Sequence, residues 1–222
     1  MMEIKSVQNS VVEYLRSQIA TGRLGANQKL NENQLASKLG ISRPPIREAF
    51  RILESEHLVV TIPRKGAYVS DLSIEDLKGL SEVREMIECY TIDLLKSKNI
   101  KDLPQVELAF AEASRLSFPS LDNLDEMLHY HKVFANFHIK LVESAGNYRL
   151  LQFYKAISSN LTRYQIIYLF IPGAAPHSVK EHHQVLDLIK MGSYEKAKEV
   201  MRQHINFAFE LLQEKFVPER TV

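Results

Sequence analysis

The chain has 222 residues, of which 45% are hydrophobic and 25% are charged, and its formal net charge is +1 at pH 7. These values are typical of a globular protein with one large or two small domains, and no run approaches the roughly 18 apolar residues of a membrane span. Cys89 is the single cysteine, which excludes an internal disulfide and a multi-cysteine zinc site.

The charge is distributed unevenly along the chain. Residues 1–70 contain ten Lys or Arg and six Asp or Glu, a net charge of +4, so that the remaining residues carry −3. A basic first part followed by an acidic remainder is typical of a DNA-binding domain attached to a domain that avoids the phosphate backbone. The first ten residues lack the apolar core of a secretory signal, so we expect a cytoplasmic protein.

The first predicted helix covers residues 7–21, where apolar side chains recur at helical spacing. The positions on this buried face are Val7, Val11, Tyr14, Leu15 and Ile19.

Residues 31–51 predict two short helices joined at Gly40. Asn31 and Ser42 stand at the two N-cap positions, where a side-chain oxygen can accept a hydrogen bond from a backbone N–H. The second helix opens with two prolines and carries arginines on one side, which is typical of a helix-turn-helix whose second helix enters the DNA major groove. The alternative is an ordinary helical hairpin with a solvated basic face.

Residues 59–62 and 67–69 predict two strands around the turn Pro63–Gly66. Together with the preceding helices, this ribbon completes a winged helix. Arg64 and Lys65 lie at its tip, where we expect contact with phosphate or the minor groove. The alternative for both is a solvated hairpin tip.

Residues 30–70, with LASKLGISRPPIREAFRILESEHLV followed by PRKGAYVSDLS, resemble the N-terminal domain of the GntR family of bacterial transcription regulators. The resemblance implies a winged helix that binds a short palindromic operator as a homodimer. It also implies DNA contacts by the recognition-helix and wing positions, with Asn33 standing where some members have an arginine. These positions are Asn33, Ser42, Arg43, Pro45, Arg47, Arg64, Lys65 and Gly66.

From residue 73 the sequence predicts six amphipathic helices with short breaks, over residues 73–97, 101–117, 121–145, 147–170, 176–191 and 193–216. Ser73 and Asp76 form a candidate capping box for the first of them. The predicted fold is mainly α. A winged helix-turn-helix domain covers residues 1–72, and an antiparallel helical bundle covers residues 73–222.

Three histidines stand on apolar stripes of three different predicted helices, namely His138, His182 and His204. A bundle could bring them together, and imidazole is the common ligand of divalent transition metals such as zinc or nickel. The alternative is that each is a hydrogen-bonded core residue.

This second half resembles the FCD ligand-binding domain of the FadR-type branch of GntR regulators, through EVREMIE (82–88), FHIKLVESAGN (137–147), EHHQVLDLI (181–189) and MRQHI (201–205). The resemblance implies six or seven antiparallel helices around a pocket, and a metal held by three histidines and an aspartate. The aspartate position is Phe134 here, so the implied site is three histidines completed by water or effector, a weaker site, or none. His131 and Asn136 are nearby but out of register for the missing ligand.

Arg84 matches an arginine of the first FCD helix, and the resemblance implies that it could pair with an anionic effector. Arg163, with Asn160 beside it, is a second candidate for effector binding, because a guanidinium on an inward helical face binds carboxylates well. The alternative for Arg84 is an i,i+4 pair with Glu88. We therefore predict a DNA-binding transcriptional repressor that senses a small carboxylate-like metabolite. Two alternatives stay open: a regulator whose signal is the metal itself, and a helical metalloenzyme with Glu181, beside His182, as its base.

Overall fold

The computed structural model describes residues 6–120 and 123–216. The chain divides into two units, Met1–Leu72 and Ser73–Val222. No α-helix within the described ranges combines the length and the apolarity needed to cross a membrane.

The first unit is a winged helix-turn-helix, as predicted. Its elements are α1 (Val7–Ala20), β1 (Lys29–Leu30), α2 (Glu32–Leu39), α3 (Arg43–Ser55), β2 (Val59–Ile62) and β3 (Gly66–Val69). The strands form an antiparallel sheet in the order β1-β3-β2. The fully buried side chains Leu15, Ile46, Leu53 and Val69 come from α1, α3 and β3 and form the centre of its core.

This unit differs from the sequence expectations in two places. The predicted two-stranded ribbon is present as β2 and β3, and β1 adds a third strand that was not predicted, whose Leu30 pairs with Ala67. A two-residue strand is too short to leave a period-2 pattern in the sequence, which is why it was missed. Val7, predicted to be buried, is 54% exposed, because the first turn of α1 extends past the core and Val12 is buried instead.

The turn between α2 and α3 forms for local reasons. The Asn31 side chain accepts hydrogen bonds from the N–H groups of Asn33 and Gln34 and begins α2. Gly40 ends α2 with φ +66°, a left-handed conformation that glycine adopts without steric cost.

The second unit is an antiparallel arrangement of six helices within the described residues. They are α4 (Ile74–Ser97), α5 (Pro104–Arg115), α6 (Leu124–Ser144), α7 (Tyr148–Leu169), α8 (Ala174–Lys190) and α9 (Tyr194–Phe216). All six predicted helices are present, although α5 is shorter at both ends and α8 begins two residues earlier, with Pro176 in its first turn. Positions 121 and 122 of the predicted third helix lie outside the described residues.

The predicted capping box at the start of α4 forms only in part. Ser73 Oγ accepts from the Asp76 N–H at 3.0 Å, as predicted. In a complete capping box the Asp76 carboxylate would accept a hydrogen bond from the Ser73 N–H. It accepts instead from the Tyr164 hydroxyl of α7 at 2.8 Å. The Ser73 N–H donates to the same hydroxyl at 3.2 Å. A tertiary contact from α7 therefore replaces half of the local motif.

Candidate functional site

The recognition helix α3 presents its arginines to solvent. Arg43 and Arg47 are both exposed, and Arg47 lies 3.9 Å from Glu32 across the helix pair. The opposite face of α3 is held in the core by Ile46, Phe50 and other apolar residues. This division leaves the two guanidinium groups available to a ligand outside the protein without weakening the core.

Ser42 occupies the N-cap position of α3 with extended backbone angles, but among the described residues its side chain makes no capping hydrogen bond. The prediction of a side-chain cap was wrong for a chemical reason. The N–H groups that a cap normally binds belong to the second and third helical residues, which are Pro44 and Pro45 here and have no N–H. The exposed Ser42 hydroxyl is thus not engaged by its own helix.

The wing is attached directly to the recognition helix. The Thr61 N–H of β2 donates to Glu54 Oε1 of α3 at 3.0 Å. At the tip, the Lys65 N–H donates to the Ile62 carbonyl at 3.0 Å, and Arg64 has φ +64°, as the third residue of a type II turn requires. Arg64, Lys65 and Gly66 are all exposed, and Gly66 has φ +105°, a conformation that favours glycine.

In the second unit, α6, α8 and α9 bring together the three histidines that the sequence singled out. His138, His182 and His204 are each at most 4% exposed, and one nitrogen from each lies within 4.8 Å of the others. His182 Nε2 is 3.4 Å from His204 Nε2. Two ligands of a tetrahedral zinc ion, at Zn–N distances of about 2.0–2.1 Å, are separated by roughly 3.3–3.4 Å. This one pair of nitrogens therefore has the spacing of two zinc ligands.

Carboxylates orient two of these imidazoles. His138 Nδ1 lies 2.8 Å from Glu88 Oε2, and His204 Nδ1 lies 2.8 Å from Glu181 Oε2. An Nδ1–H that donates to a carboxylate leaves the Nε2 lone pair of the same ring available, which is the usual arrangement around a metal-binding histidine. His182 differs, since its buried Nδ1 has no hydrogen-bond partner among the described residues.

Arg84 lies against the same histidines. Its Nε donates to Glu88 Oε1 at 2.8 Å, and its Nη2 lies 2.8 Å from His138 Nε2 and 3.2 Å from His204 Nε2. The Tyr154 hydroxyl also donates to Glu88 Oε1, at 3.0 Å. The predicted i,i+4 pair between Arg84 and Glu88 is therefore present. It is buried beside the histidines and does not lie on a solvated helix surface.

Burial lowers the pKa of all three histidines, and for His138 the pKa is about 4. These rings are therefore neutral near pH 7, the form that ligates metals. Burial opposes the ionisation of Glu88, but the Arg84 charge and His138 hold its pKa well below the ordinary value. Burial likewise opposes ionisation of Glu181, whose pKa is nonetheless lowered by the hydrogen bond from His204.

A cavity of about 30 Å³ adjoins the cluster, large enough for an ion or one or two waters. Its wall includes residues that the sequence interpretation had set aside or missed. His131, judged out of register, lines the cavity and bonds to Gln165 at 2.9 Å through Nε2. Phe134, at the position of the missing aspartate, lines it too. The remaining lining residues are Arg84, Ala135, His138, Tyr168, Leu169, Ser178, His182 and His204.

Asn160 and Arg163, the other two candidate effector-binding residues, are buried on α7. Neither is among the residues that line this cavity. Glu88 and Gln165 lie near the histidines, although neither was predicted to have a functional role. The only signal for Glu88 was its i,i+4 spacing to Arg84, while Gln165 carried none, because its place in the wall depends on how α6 packs on α7.

Comparison with known proteins identifies both units. The model of the bacterial regulatory proteins of the gntR family matches residues 7–69, and the model of the FCD domain matches residues 79–207. The chain belongs to the GntR family of bacterial regulators and carries an FCD domain. It is a DNA-binding transcriptional regulator and not an enzyme, so the metalloenzyme alternative is wrong.

Individual GntR relatives are similar over most of their length. The HTH-type transcriptional regulator YdhC of Bacillus subtilis is 25% identical over 193 residues, which cover 86% of this chain and 84% of that protein. The HTH-type transcriptional repressor GlaR of Escherichia coli is 26% identical, covering 90% and 93%. The crystal structure of a GntR transcriptional regulator from Rhodococcus sp. RHA1 has a TM-score of 0.74 at 20% identity, covering 95% and 99%, and bears on the fold alone.

Proposed function

We propose that this regulator is a repressor of the FadR-type branch that acts in the cytoplasm as a homodimer on a palindromic operator. A small carboxylate-like metabolite, bound beside the histidine cluster of the FCD domain, controls its operator affinity. The observation that carries the proposal is the buried cluster itself. It combines three neutral imidazoles, whose donor atoms lie within 4.8 Å, with one guanidinium, and so offers ligands for both a divalent metal and an anion.

On the DNA side, Arg43 and Arg47 are assigned to base edges in the major groove, where arginine binds guanine through two hydrogen bonds. Ser42, Pro45 and Asn33 adjoin them at the start of the helix pair. The support for Ser42 is that its hydroxyl is exposed and not used as a cap. At the wing, Arg64 and Lys65 contact phosphate or the minor groove, and Gly66 permits a close approach of the backbone.

The homodimer has a geometric reason and a surface that supports it. One recognition helix reads a few base pairs, whereas two related by a twofold axis read both halves of a palindrome. Along α4, the exposed residues Gly79, Val83, Met86 and Tyr90 follow one another at spacings of four, three and four. Met86 is 63% exposed and Tyr90 is 50% exposed. An apolar stripe with this heptad spacing is typical of a helix that packs against a second helix.

On the sensor side, His138, His182 and His204 would hold a divalent transition metal such as zinc or nickel. A bound metal would supply a Lewis-acidic centre with open positions for a carboxylate oxygen. Glu88 and Glu181 keep two of the rings in the tautomer that presents Nε2. Arg84 offers paired donors to the same carboxylate. Asn160 and Arg163 stay predictions, since they are buried on α7 outside the cavity wall.

A second candidate function differs only in the signal, namely a regulator that responds to the metal itself. Both candidates are tested by measuring operator affinity with the purified full chain, on duplexes selected from random DNA. We expect zinc alone to change the affinity little, and one carboxylic acid from a panel to change it by about 5–150-fold, the usual range of allosteric coupling. A full response to zinc alone, reversed by chelator, would favour the metal as the signal. No response to any acid, with or without zinc, would contradict the sensor proposal and leave DNA binding intact.

A further inference from the structure

We propose that Arg84 and a divalent metal ion compete for the site between His138 and His204, and that an anion bound by Arg84 decides this competition in favour of the metal. The inference rests on the metal-supported sensor proposed above. It adds a rule for how the metal and the effector depend on each other.

The competition follows from the hydrogen-bonding chemistry of the cluster. A guanidinium has donors and no acceptor, so Arg84 Nη2 can only donate to these rings. It lies 3.2 Å from His204 Nε2 and over the ring of His138, at 2.8 Å from Nε2 and 3.3 Å from Nδ1. The other nitrogen of each ring carries the proton, because it donates to a carboxylate. Arg84 therefore binds the His204 Nε2 lone pair and places its positive charge over the His138 ring, beside the position that a metal bound to both Nε2 atoms would take.

A metal ion and the Arg84 guanidinium are also electrostatically incompatible at this distance. Both are cations, and a buried pair of like charges is poorly screened by solvent. The Arg84 Nε bond to Glu88 at 2.8 Å can persist while the planar guanidinium turns about it. Such a rotation would carry Nη2 away from both histidine rings.

Phe134 makes the charge balance depend on a ligand. With neutral histidines, the charged groups that contact the cluster within the described residues are Arg84, Glu88 and Glu181, and their charges sum to −1. A divalent ion changes this sum to +1, and Phe134, in the cavity wall, offers no carboxylate to reduce it. A monoanion brings the sum to zero. An anion that binds both the metal and the displaced Nη2 of Arg84 would therefore stabilise the metal-bound state.

Linkage makes the dependence mutual. If the anion raises metal affinity, the metal raises anion affinity by the same factor. The site would then respond to the metabolite only when metal is available, and would hold metal weakly without the metabolite. An aspartate at position 134 would remove this requirement, since the protein itself would supply the negative charge.

The test measures zinc affinity of the full chain by competition with a chromophoric chelator. Arg84→Met alone would leave Glu88 buried without its cation, so the decisive comparison is Glu88→Gln against the double variant Arg84→Met with Glu88→Gln. We expect the double variant to bind zinc at least about tenfold tighter, one order of magnitude being 1.4 kcal/mol. Arg149→Met, which removes an exposed arginine elsewhere in the same unit, should leave zinc affinity unchanged.

The anion dependence is measured with 100 mM acetate against chloride at equal ionic strength. Acetate should strengthen zinc binding by wild type several-fold and have little effect on Phe134→Asp, which should bind zinc tighter without it. Equal zinc affinities for Glu88→Gln and the double variant, with binding lost in His138→Ala, would overturn the competition and leave the metal site standing. Tighter binding by the double variant without any acetate effect on wild type would overturn the role of the anion. Absence of zinc binding in every variant would overturn both this inference and the metal in the proposed function.

Discussion

The recognition surface and the histidine cluster both use arginine, under opposite conditions. The Arg47 side chain is 52% exposed and lies 3.9 Å from Glu32, whereas the Arg84 side chain is 7% exposed and lies 2.8 Å from Glu88. An exposed charge is solvated whether or not the DNA is present, so it contributes little to folding. A buried charge must be compensated within the protein before it can serve a ligand. Function and stability are therefore separable in the first unit and coupled in the second.

The largest change in stability is expected at Glu88, and it tests whether charge and stability are coupled in the second unit. Glu88→Ala removes the buried partner of Arg84, His138 and Tyr154 and leaves the Arg84 charge uncompensated. Breaking a buried pair in this way costs about 3–5 kcal/mol of unfolding free energy. Urea unfolding of the full chain, followed by circular dichroism, measures it. Glu82→Ala is the matched control on the same helix, because Glu82 is 68% exposed and should change stability by under about 0.5 kcal/mol. Similar values for the two variants would contradict the coupling of charge and stability.

In the first unit, Arg43→Ala and Arg47→Ala should reduce affinity for a selected operator by about 1–3 kcal/mol each. Both side chains are exposed, so the urea unfolding curves should match wild type. Gel shifts at fixed salt give the affinities, and Arg23→Ala provides a control at an exposed arginine of the same unit outside the recognition helix and wing. Unchanged operator affinity in both variants would remove these residues from the proposed interface.

Acidification should weaken the second unit. The pKa of His138 is about 4 in the folded chain and about 6.5 when unfolded. The unfolded chain therefore binds more protons between these values, and the free energy of unfolding falls as the pH falls through that window. From pH 7 to pH 5 we expect His138 alone to contribute a loss of about 2 kcal/mol.

Urea unfolding in the presence of chelator measures this pH dependence. His138→Gln should flatten it, while His183→Asn, at a side chain that is 61% exposed, should leave it as it is. Equal unfolding free energies at pH 5 and pH 7 in the wild type would show that the buried rings do not remain neutral in the folded chain.

The smallest expected effect lies at the tip of the wing. Arg64 adopts φ +64°, which is unfavourable for a residue with a Cβ atom. Arg64→Gly should relieve this strain and raise the free energy of unfolding by a few tenths to about 1 kcal/mol, after the entropy of glycine in the unfolded chain is counted. Operator affinity should fall several-fold, because one cation is lost.

Lys65→Gly is the control at the tip, since it removes the same charge where φ is not positive. It should lower operator affinity without stabilising the protein. If Arg64→Gly is less stable than wild type, the strain at this position does not decide the stability of the turn.

The sequence by itself determined the winged helix, the six helices and the three inward-facing histidines. The reason is that hydrophobic spacing, Gly40 and the prolines act locally. One local effect was missed: Pro44 and Pro45 lack the N–H groups that a Ser42 side-chain cap would bind. Only the tertiary structure decided three other features. These are the pairing of β1 with β3, the contact of Tyr164 with Ser73, and the position of Arg84 beside two imidazoles. Each joins residues that are far apart in the chain, as with the 120 positions between Arg84 and His204. Such contacts are fixed by how helices pack, and no short sequence pattern records that packing.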